Sequence, residues 1–391
     1  MGDLMLRDLG AIRRPLAAFA SMGLLWGAFA AQVPVLKAAI DASDARFGLL
    51  LSVSAIGLLT ALVLAPWVER LLGDLSLPLA VVLLPLAFLI PATAAVPLVF
   101  GIGMFLVATA SGLEDVLMNA RVAEIEAAEG RSLMNLAHAG FSLAYAASAF
   151  ATGFAREAGW SPGAAYGALL IAVALLAATA RQPVEPMGED AGNAGLGWRV
   201  AALCGLLVLL AFQIEGSVEA WSALHVERTL GGSPAEGAWG PAMLGLTMGV
   251  GRLSGQAATR IMPPMSVALL AAGVTAFGGA IAASAPSVAV AYLGFALIGL
   301  GVSVIGPLGI AEAGRRAAPG GRTTAVARTA VIGFGGFLVG PPIMGLLSGA
   351  FSLRWAIGLI AVLALSCAAI AILLGAIGKQ PPKRPMPQRN T

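Results

Sequence analysis

Charged residues are scarce in this chain of 391 residues, and their scarcity excludes an ordinary soluble fold. Asp, Glu, Lys and Arg together make up 11% of the sequence, whereas soluble domains average about 25%. Hydrophobic residues make up 59%, which is more than a soluble fold could keep away from water. Lipid can solvate such a surface, and the 50 glycines suit helices that pack closely in a bilayer. The composition therefore predicts an integral membrane protein.

Histidine and cysteine are also rare, with two of each, and the chain has no HExxH motif, Cys–His cluster or Walker A loop. We therefore expect no enzymatic activity, no catalytic residues, no metal and no cofactor. Cys204 and Cys367 lie in separate apolar runs, and we interpret them as core residues rather than a disulfide. The net charge of +3, without a basic patch interleaved with aromatics, argues against a nucleic-acid partner.

Twelve apolar stretches are each long enough to cross a bilayer, which takes about 20 residues in a helix. They cover residues 15–38, 46–68, 75–95, 97–122, 133–155, 160–180, 199–222, 237–260, 264–284, 287–311, 323–347 and 352–377. Residues that favour turns separate them, such as Gly73-Asp74 and Pro263-Pro264. The sequence therefore predicts an all-α membrane protein with twelve transmembrane helices.

The basic residues predict the orientation of these spans, because cytoplasmic segments carry an excess of Lys and Arg. With both termini in the cytoplasm, only five of the 23 basic residues fall on the outer side. These five are Lys37, Arg46, Arg156, Arg228 and Arg354. We expect a multi-pass protein of a bacterial-type inner membrane. We also expect a monomer, because the GxxxG-like spacings of the sequence suit packing within one chain.

The longest polar interruption, residues 182–198, predicts a flexible linker between two halves. The halves echo each other, since Arg131 and Arg322 follow glycines between the fourth and fifth spans of each half. The predicted organisation is a six-helix bundle over 1–181, a cytoplasmic linker over 182–198, a second six-helix bundle over 199–378 and a basic cytoplasmic tail over 379–391.

Two halves of six helices with a polar linker resemble the major facilitator superfamily. The family's Gly- and Arg-rich loop is similar to the segment from Pro66 to Asp74 after span two and to the segment from Gly251 to Arg260 after span eight. The resemblance implies a cytoplasmic gate held by charge pairs. The gate residues expected in this chain are Asp74, Arg131, Arg252, Arg322 and Arg328. Arg328 could instead balance the charge of Glu312.

Spans four, five and seven resemble the fucose-permease-like branch of sugar/proton symporters and related bacterial permeases. The similar segments are Gly112 to Asn119, Leu133 to His138 and Glu215 to Leu224. The resemblance implies that Glu114 takes part in proton coupling and that His138 lies near a sugar. Span one lacks the acid that the fucose branch carries there.

Acids within predicted spans are the candidates for proton coupling, because an ionised carboxylate inside a bilayer costs roughly 2.5–3.5 kcal/mol. Glu114 and Asp115 are neighbours, so they point about 100° apart on a helix, and Asp115 shares a face with Asn119. We expect Glu114 to face a central cavity. The alternative is that both acids pair structurally with Arg121 or Arg131.

Span seven carries Glu215 and Glu219, four residues apart on one face. Like charges at this spacing repel, so one carboxyl stays protonated unless a cation lies beside it. Such a group is a plausible proton carrier.

Candidate substrate-binding residues are Gln32, Asn119, His138, Trp26, Phe141 and Trp221. Three of them have plain structural alternatives: a hydrogen bond between helices for Gln32, a satisfied hydrogen-bond partner for His138 and an aromatic belt at the outer interface for Trp221. His225 is expected to lie solvated in an outer loop.

The sequence therefore predicts a secondary active transporter that works by alternating access, with proton-coupled uptake of a small polar, sugar-like solute. Its partners are expected to be that solute, protons and the lipid bilayer. The alternatives are a proton-driven exporter of drugs or metabolites and a non-transporting sensor or scaffold on a transporter fold.

Overall fold

The computed structural model describes residues 2–131, 133–182, 196–318 and 321–377. All regular elements of these residues are helical. The twelve long helices are α1 (Gly2–Ala39), α2 (Asp44–Leu72), α3 (Ser76–Ala92), α4 (Pro97–Glu129), α5 (Met134–Glu157), α6 (Pro162–Ala177), α7 (Trp198–Leu224), α8 (Pro234–Ala258), α9 (Pro264–Ser284), α10 (Val288–Arg316), α11 (Arg322–Ala350) and α12 (Leu353–Ile377). Helices satisfy their own backbone groups, which is what a chain in lipid requires.

Local sequence explains where several helices begin and end. Pro97 and Pro162 occupy first-turn positions, where the missing N–H of proline costs nothing. Ser233 and Glu236 form a capping box at the start of α8. Gly130 ends α4 with a φ of 65°, a left-handed conformation that glycine adopts without strain.

The twelve predicted spans each coincide with one of these helices, so the expected fold class is confirmed. The helices α1, α2, α4 and α10 continue beyond the apolar stretches on the side of the membrane that carries both ends of the helical array. We name this the terminus side and the opposite one the distal side. Residues 183–195 and 378–391, which cover most of the predicted linker and the whole predicted tail, lie outside the described residues.

The helices pack as two six-helix bundles. In the first bundle, α1 lies against α4, α5 and α6, and α2 and α3 lie against α4. In the second bundle, α7 lies against α10, α11 and α12, and α9 lies against α10 and α12. Two seams join the bundles, one between α2 and α11 and one between α5 and α8, while α1 also touches α7 and α8.

Eight stretches of the described residues are long and apolar enough to span a membrane on composition alone. Helices α5 and α8 are not among them, although each exceeds 20 residues, the span length a bilayer needs. These two helices pack against each other across a seam between the bundles. A helix that faces protein can carry more polar and small residues than one that faces lipid.

Glycines let the bundles approach closely at both seams. A Cβ on Gly48 of α2 would lie 2.2 Å from the carbonyl oxygen of Pro341 in α11. In the other seam, a Cβ on Gly245 of α8 would lie 2.5 Å from the ring of Tyr145 in α5. Larger residues at these positions would force the bundles apart.

Both segments that resemble the family's loop are mostly helical here. Pro66 to Leu72 still belongs to α2, and only Gly73–Leu75 forms a short 3₁₀ turn. Gly251 to Ala258 belongs to α8. This helical state agrees with the predicted span over 237–260, so the second segment resembles the family's loop in composition and not in conformation.

Candidate functional site

Glu114 lies fully buried in α4 and faces α1, where the hydroxyl of Ser21 donates a hydrogen bond of 2.6 Å to Oε1 of Glu114. One turn earlier on α4, Ser111 accepts a hydrogen bond of 3.0 Å from the indole nitrogen of Trp26. Oε2 of Glu114 has no hydrogen-bond partner within the described part of the chain. The carboxyl group is thus held by a neutral donor and not by a cation.

Neither Arg121 nor Arg131 pairs with Glu114 or Asp115, so the alternative of a structural ion pair is wrong for the described contacts. Arg121 lies buried and contacts Glu69 of α2 and Glu124 of α4. Arg131 contacts Asp8 and Glu129.

Asp115 and Asn119 share a face of α4 as expected. The amide nitrogen of Asn119 donates to the carboxylate of Asp115 at 2.9 Å and to its backbone oxygen at 2.8 Å. Both side chains are half-buried. The amide satisfies the carboxylate locally, so no distant helix is needed to hold Asp115.

The acids of α7 lie beside Arg252 of α8. Nη2 of Arg252 is 4.0 Å from Oε1 of Glu215, and Glu219 lies one turn further along α7. Nη1 of the same guanidinium crosses to α5, where it donates to the hydroxyl of Ser142 at 2.6 Å and to the backbone oxygen of His138 at 3.3 Å. Arg252 therefore links the acids of the second bundle to the first bundle.

Arg252 was predicted as a gate residue within span eight, and that role stays a prediction. The helix α8 carries its side chain into the seam with α5. Ser142 of α5, which accepts a hydrogen bond from Arg252, was missed by the sequence analysis. The signal that could have identified it is its position four residues after His138, on the same helix face.

The remaining candidate substrate-binding residues contact different parts of the protein. Gln32 of α1 is fully buried, and neither amide atom has a partner among the described residues, so the bridging alternative is wrong for them. Trp221 is fully buried and meets Phe47 of α2 edge-on at 6.2 Å, so it does not belong to an interfacial aromatic belt. The ring of His138 packs edge-on against Phe19 at 4.9 Å.

Phe141 lies half-buried next to Tyr145, with ring centroids 6.0 Å apart.

His225 was expected to be solvated, and this prediction is wrong. It opens a π-helical turn (His225–Thr229) after α7, is fully buried and places Nε2 3.1 Å from the backbone oxygen of Ala282. Cys204 and Cys367 are buried and unpaired in the core. The described residues contain no grouping of His, Cys, Asp and Glu suited to a metal.

Ion pairs at the distal side cross from one bundle to the other. Arg228 of the π-helical turn holds Asp44 of α2 at 2.7 and 3.2 Å, and Ser348 of α11 donates to the same carboxylate at 2.5 Å. Glu227 accepts from Arg156 of α5 at 2.7 and 3.1 Å.

The sequence did not predict these pairs, although it contained a signal for them. Arg156 and Arg228 are among the five basic residues that oppose the charge bias. Lys37, another of the five, lies 2.9 Å from Asp44. Three of these five basic residues are therefore held on the disfavoured side by acidic partners.

Two of the predicted gate residues of the terminus side, Asp74 and Arg131, are engaged within the first bundle. Asp74 accepts from Arg181 at 2.8 Å, and Arg131 is held by Asp8 and Glu129. Arg322 and Arg328 are exposed near the start of α11. Glu312 pairs with Arg315 and Arg316, so it is already balanced without Arg328. The gate role of these residues stays a prediction.

Comparison with known proteins gives the family. No family model matches the chain. A protein of Yersinia pestis described as an uncharacterised MFS-type transporter is 32% identical over 367 residues, which are 90% of this chain and 93% of that protein.

Two solved structures share the fold at low sequence identity. A bacterial homologue of the human lysosomal transporter Spinster matches with a TM-score of 0.72 and 15% identity, over 94% of this chain and 97% of that one. The nucleoside transporter NupG matches with a TM-score of 0.66 and 13% identity, over 95% of this chain and 100% of that one. The Yersinia relative is similar enough over nearly its whole length to establish kinship: this chain belongs to the major facilitator superfamily of membrane transporters.

Proposed function

We propose that this protein is a proton-coupled transporter that takes up a small polar solute by alternating access. The observation that carries the proposal is the position of Arg252, which lies 4.0 Å from Glu215 and donates to Ser142 across the seam between the bundles. A proton that binds one of these carboxyls would thereby change a contact between the two moving parts. Ionisable groups inside a membrane usually serve such a function.

The coupling follows from the charge balance around Arg252. While Glu215 is ionised, it attracts the guanidinium, which also binds Ser142 and the His138 carbonyl of α5. When Glu215 takes up a proton, that attraction disappears, and a buried guanidinium without a counter-ion is costly. Arg252 would then move toward another acceptor, and the seam between α5 and α8 would loosen.

Glu114 is the second candidate acid. It is fully buried, and among the described residues its one hydrogen-bond partner is the hydroxyl of Ser21, so no cation of that part of the chain offsets the cost of ionising it. We propose that it carries its proton between α1 and α4, as the resemblance to sugar/proton symporters implies. Asp115 and Glu219 are secondary candidates. Gln32, Trp26, Asn119, His138, Phe141 and Trp221 remain the proposed substrate-binding residues.

The distal pairs support a proposal for the conformation and orientation. Asp44, Arg156, Glu227 and Arg228 tie the bundles together on the distal side. We place that side outside an inner membrane, with the termini and the linker over 182–198 in the cytoplasm, so this conformation is the one closed toward the outside.

The test begins with purified protein and a thermal-shift screen of sugars, organic acids, nucleosides and drugs, since a ligand of the folded state raises its apparent stability. A solute found in this way is then assayed in proteoliposomes with an imposed pH gradient. Glu215→Gln and Glu114→Gln should each abolish accumulation driven by the gradient while counterflow exchange continues. Glu157→Gln, at the exposed end of α5, serves as the matched control.

If both variants still accumulate solute against its gradient, proton coupling through these acids is wrong. Accumulation that occurs only when the imposed pH gradient is reversed would identify the protein as the exporter. A folded protein that shows no flux of any stabilising ligand would instead support the sensor or scaffold.

A further inference from the structure

A cavity of about 470 Å³ lies on the terminus side, between α1, α4 and the residues that follow α6. Gly10, Arg13 and Arg14 of α1 line it from one direction. Glu124 of α4 and Gln182 line it from the others. Cavities that bind small molecules commonly occupy about 300–1,000 Å³. This one therefore has room for a polar group larger than a single ion.

The helices reach this cavity close to the ends of their apolar stretches. Arg14 directly precedes the stretch that begins at residue 15, Glu124 follows the one that ends at 122, and Gln182 follows the one that ends at 180. The cavity therefore lies at the depth of the lipid headgroups. It is separate from the site around Glu114, because the partner of that acid, Ser21, lies about 10 Å further along α1 than Arg14.

The two arginines of the cavity are available to a ligand. Arg13 and Arg14 are exposed, and neither has an ion pair or a side-chain hydrogen bond in the part of the chain that the structure describes. Arg121, by contrast, contacts both Glu69 and Glu124. Glu124 thus has a cation of its own, which leaves two guanidinium groups for an anion. Arginine presents planar sets of donors that match the oxygens of a phosphate group.

Small residues and an unpaired acceptor make room for such a group. Helical side chains lean toward the N-terminus of their helix, so both arginines extend over the turn that holds Gly10 and Ala11, which line the same cavity. A Cβ on Gly10 would meet no atom within 4 Å. The amide oxygen of Gln182 is buried and has no donor among the described residues. Buried acceptors are nearly always paired, so a ligand hydroxyl would supply a missing partner.

We propose that this cavity binds the phosphate group of a membrane lipid, held by Arg13 and Arg14, with a headgroup hydroxyl that donates to Gln182. A phosphodiester brings a negative charge and acceptor oxygens for both guanidinium groups, and basic pockets between helices on the cytoplasmic side bind headgroups in this way. A soluble phosphate ester has the same chemistry, but the depth of the cavity favours the lipid. The bound headgroup bridges α1, α4 and the end of α6, so it stabilises the first bundle. This inference goes beyond the proposed transport function and does not depend on it.

The test follows the apparent melting temperature of the purified full chain in detergent as three probes are titrated. They are dihexanoyl phosphatidylglycerol, dihexanoylglycerol as the lipid without phosphate, and glycerol 3-phosphate as the phosphate without lipid. Phosphatidylglycerol should stabilise the protein at the lowest concentration, since a ligand of the folded state raises its apparent stability. Equal stabilisation by glycerol 3-phosphate would overturn the lipid in favour of a soluble phosphate ester. Equal stabilisation by dihexanoylglycerol would overturn the phosphate site.

Three variants test the residues of the cavity. The double variant Arg13→Gln with Arg14→Gln should raise the concentration of phosphatidylglycerol for half-maximal stabilisation by at least about tenfold, because it removes both cations. Gly10→Leu keeps every charge and fills the cavity, so it should weaken binding to a similar extent. Gln182→Leu removes one acceptor of a hydrogen bond and should weaken binding by roughly threefold.

Two matched controls separate a specific site from general surface charge. Arg260→Gln removes an exposed arginine just after α8, and Gly273→Leu adds a side chain at an exposed glycine of α9 that also has open space around it. Both should bind phosphatidylglycerol as the parent does. Unchanged binding in Gly10→Leu, or a loss in Arg260→Gln as large as in the double variant, would show that the lipid acts through general surface charge and would refute the site.

Discussion

The distal and terminus sides of this transporter use ion pairs in different ways. On the distal side, the pair of Asp44 with Arg228 and the pair of Arg156 with Glu227 cross between bundles, although Lys37 also contacts Asp44 within the first bundle. On the terminus side, the pair of Arg121 with Glu69 stays inside the first bundle. The first kind opposes separation of the bundles, and the second kind holds two helices of one bundle together.

The exposure of the pairs indicates which are energetically important. The side chains of Arg156 and Glu227 are 9% and 17% exposed, whereas those of Arg181 and Asp74 on the terminus side are 64% and 39% exposed. Exposed pairs contribute about 0–1 kcal/mol. Breaking a buried pair costs more, because it leaves one charge without a partner in a dry environment.

The largest effect is expected from the buried pair of the terminus side. Arg121→Met should destabilise the first bundle by about 3–5 kcal/mol, because Glu69 is left buried without its cation. The measurement is the apparent melting temperature in detergent. The double variant Arg121→Met with Glu69→Met should recover most of the loss, and failure to recover would mean that the packing of Arg121 matters more than its charge.

An intermediate effect is expected at Asp44, which binds Lys37, Arg228 and Ser348. Asp44→Asn removes the charge that holds α2 to the second bundle, so the distal side should open more often. A cysteine placed at Ala242, which is buried in the seam between α5 and α8, should then react with a thiol reagent at least about tenfold faster, equivalent to roughly 1.4 kcal/mol.

Asp41→Asn is the matched control for this measurement. Asp41 is exposed three residues earlier and has a φ of 46°, which asparagine also tolerates. Its labelling rate should equal that of the parent. Equal rates in Asp44→Asn as well would show that the distal pairs do not hold the bundles closed.

The smallest effect is expected at the exposed pair of Arg181 and Asp74. Arg181→Ala should change the melting temperature and the labelling at position 242 by no more than the equivalent of about 0.5 kcal/mol. A larger change in labelling would mean that this pair helps to gate the terminus side. The contrast would then fail, because ion pairs on both sides would control how the bundles separate.

The number and limits of the helices followed from sequence because hydropathy is a local property. Each apolar run must cross the same thickness of lipid, and turn formers such as Gly130 and Ser233 mark its ends. The acids of α4 and α7 were identified for the same reason, since a carboxylate in an apolar run is costly wherever its helix packs.

The partners of these acids depended on tertiary structure. Arg228 lies 184 residues from Asp44 along the chain, and no periodicity relates two such positions. The sequence predicted solvent around His225, and this prediction failed because a π-helical turn after α7 carries the residue into the protein interior.

By itself, the sequence therefore determined a membrane protein of twelve helices with acids in two of them, because the cost of placing each residue in lipid depends on that residue and its helix. Only the tertiary structure decided that Arg252 joins Glu215 to the opposite bundle and that the distal side is tied across its seams. Those contacts depend on the relative position of the two bundles. Small residues such as Gly48 and Gly245 allow the bundles to pack closely, but they do not determine which charged side chains become neighbours.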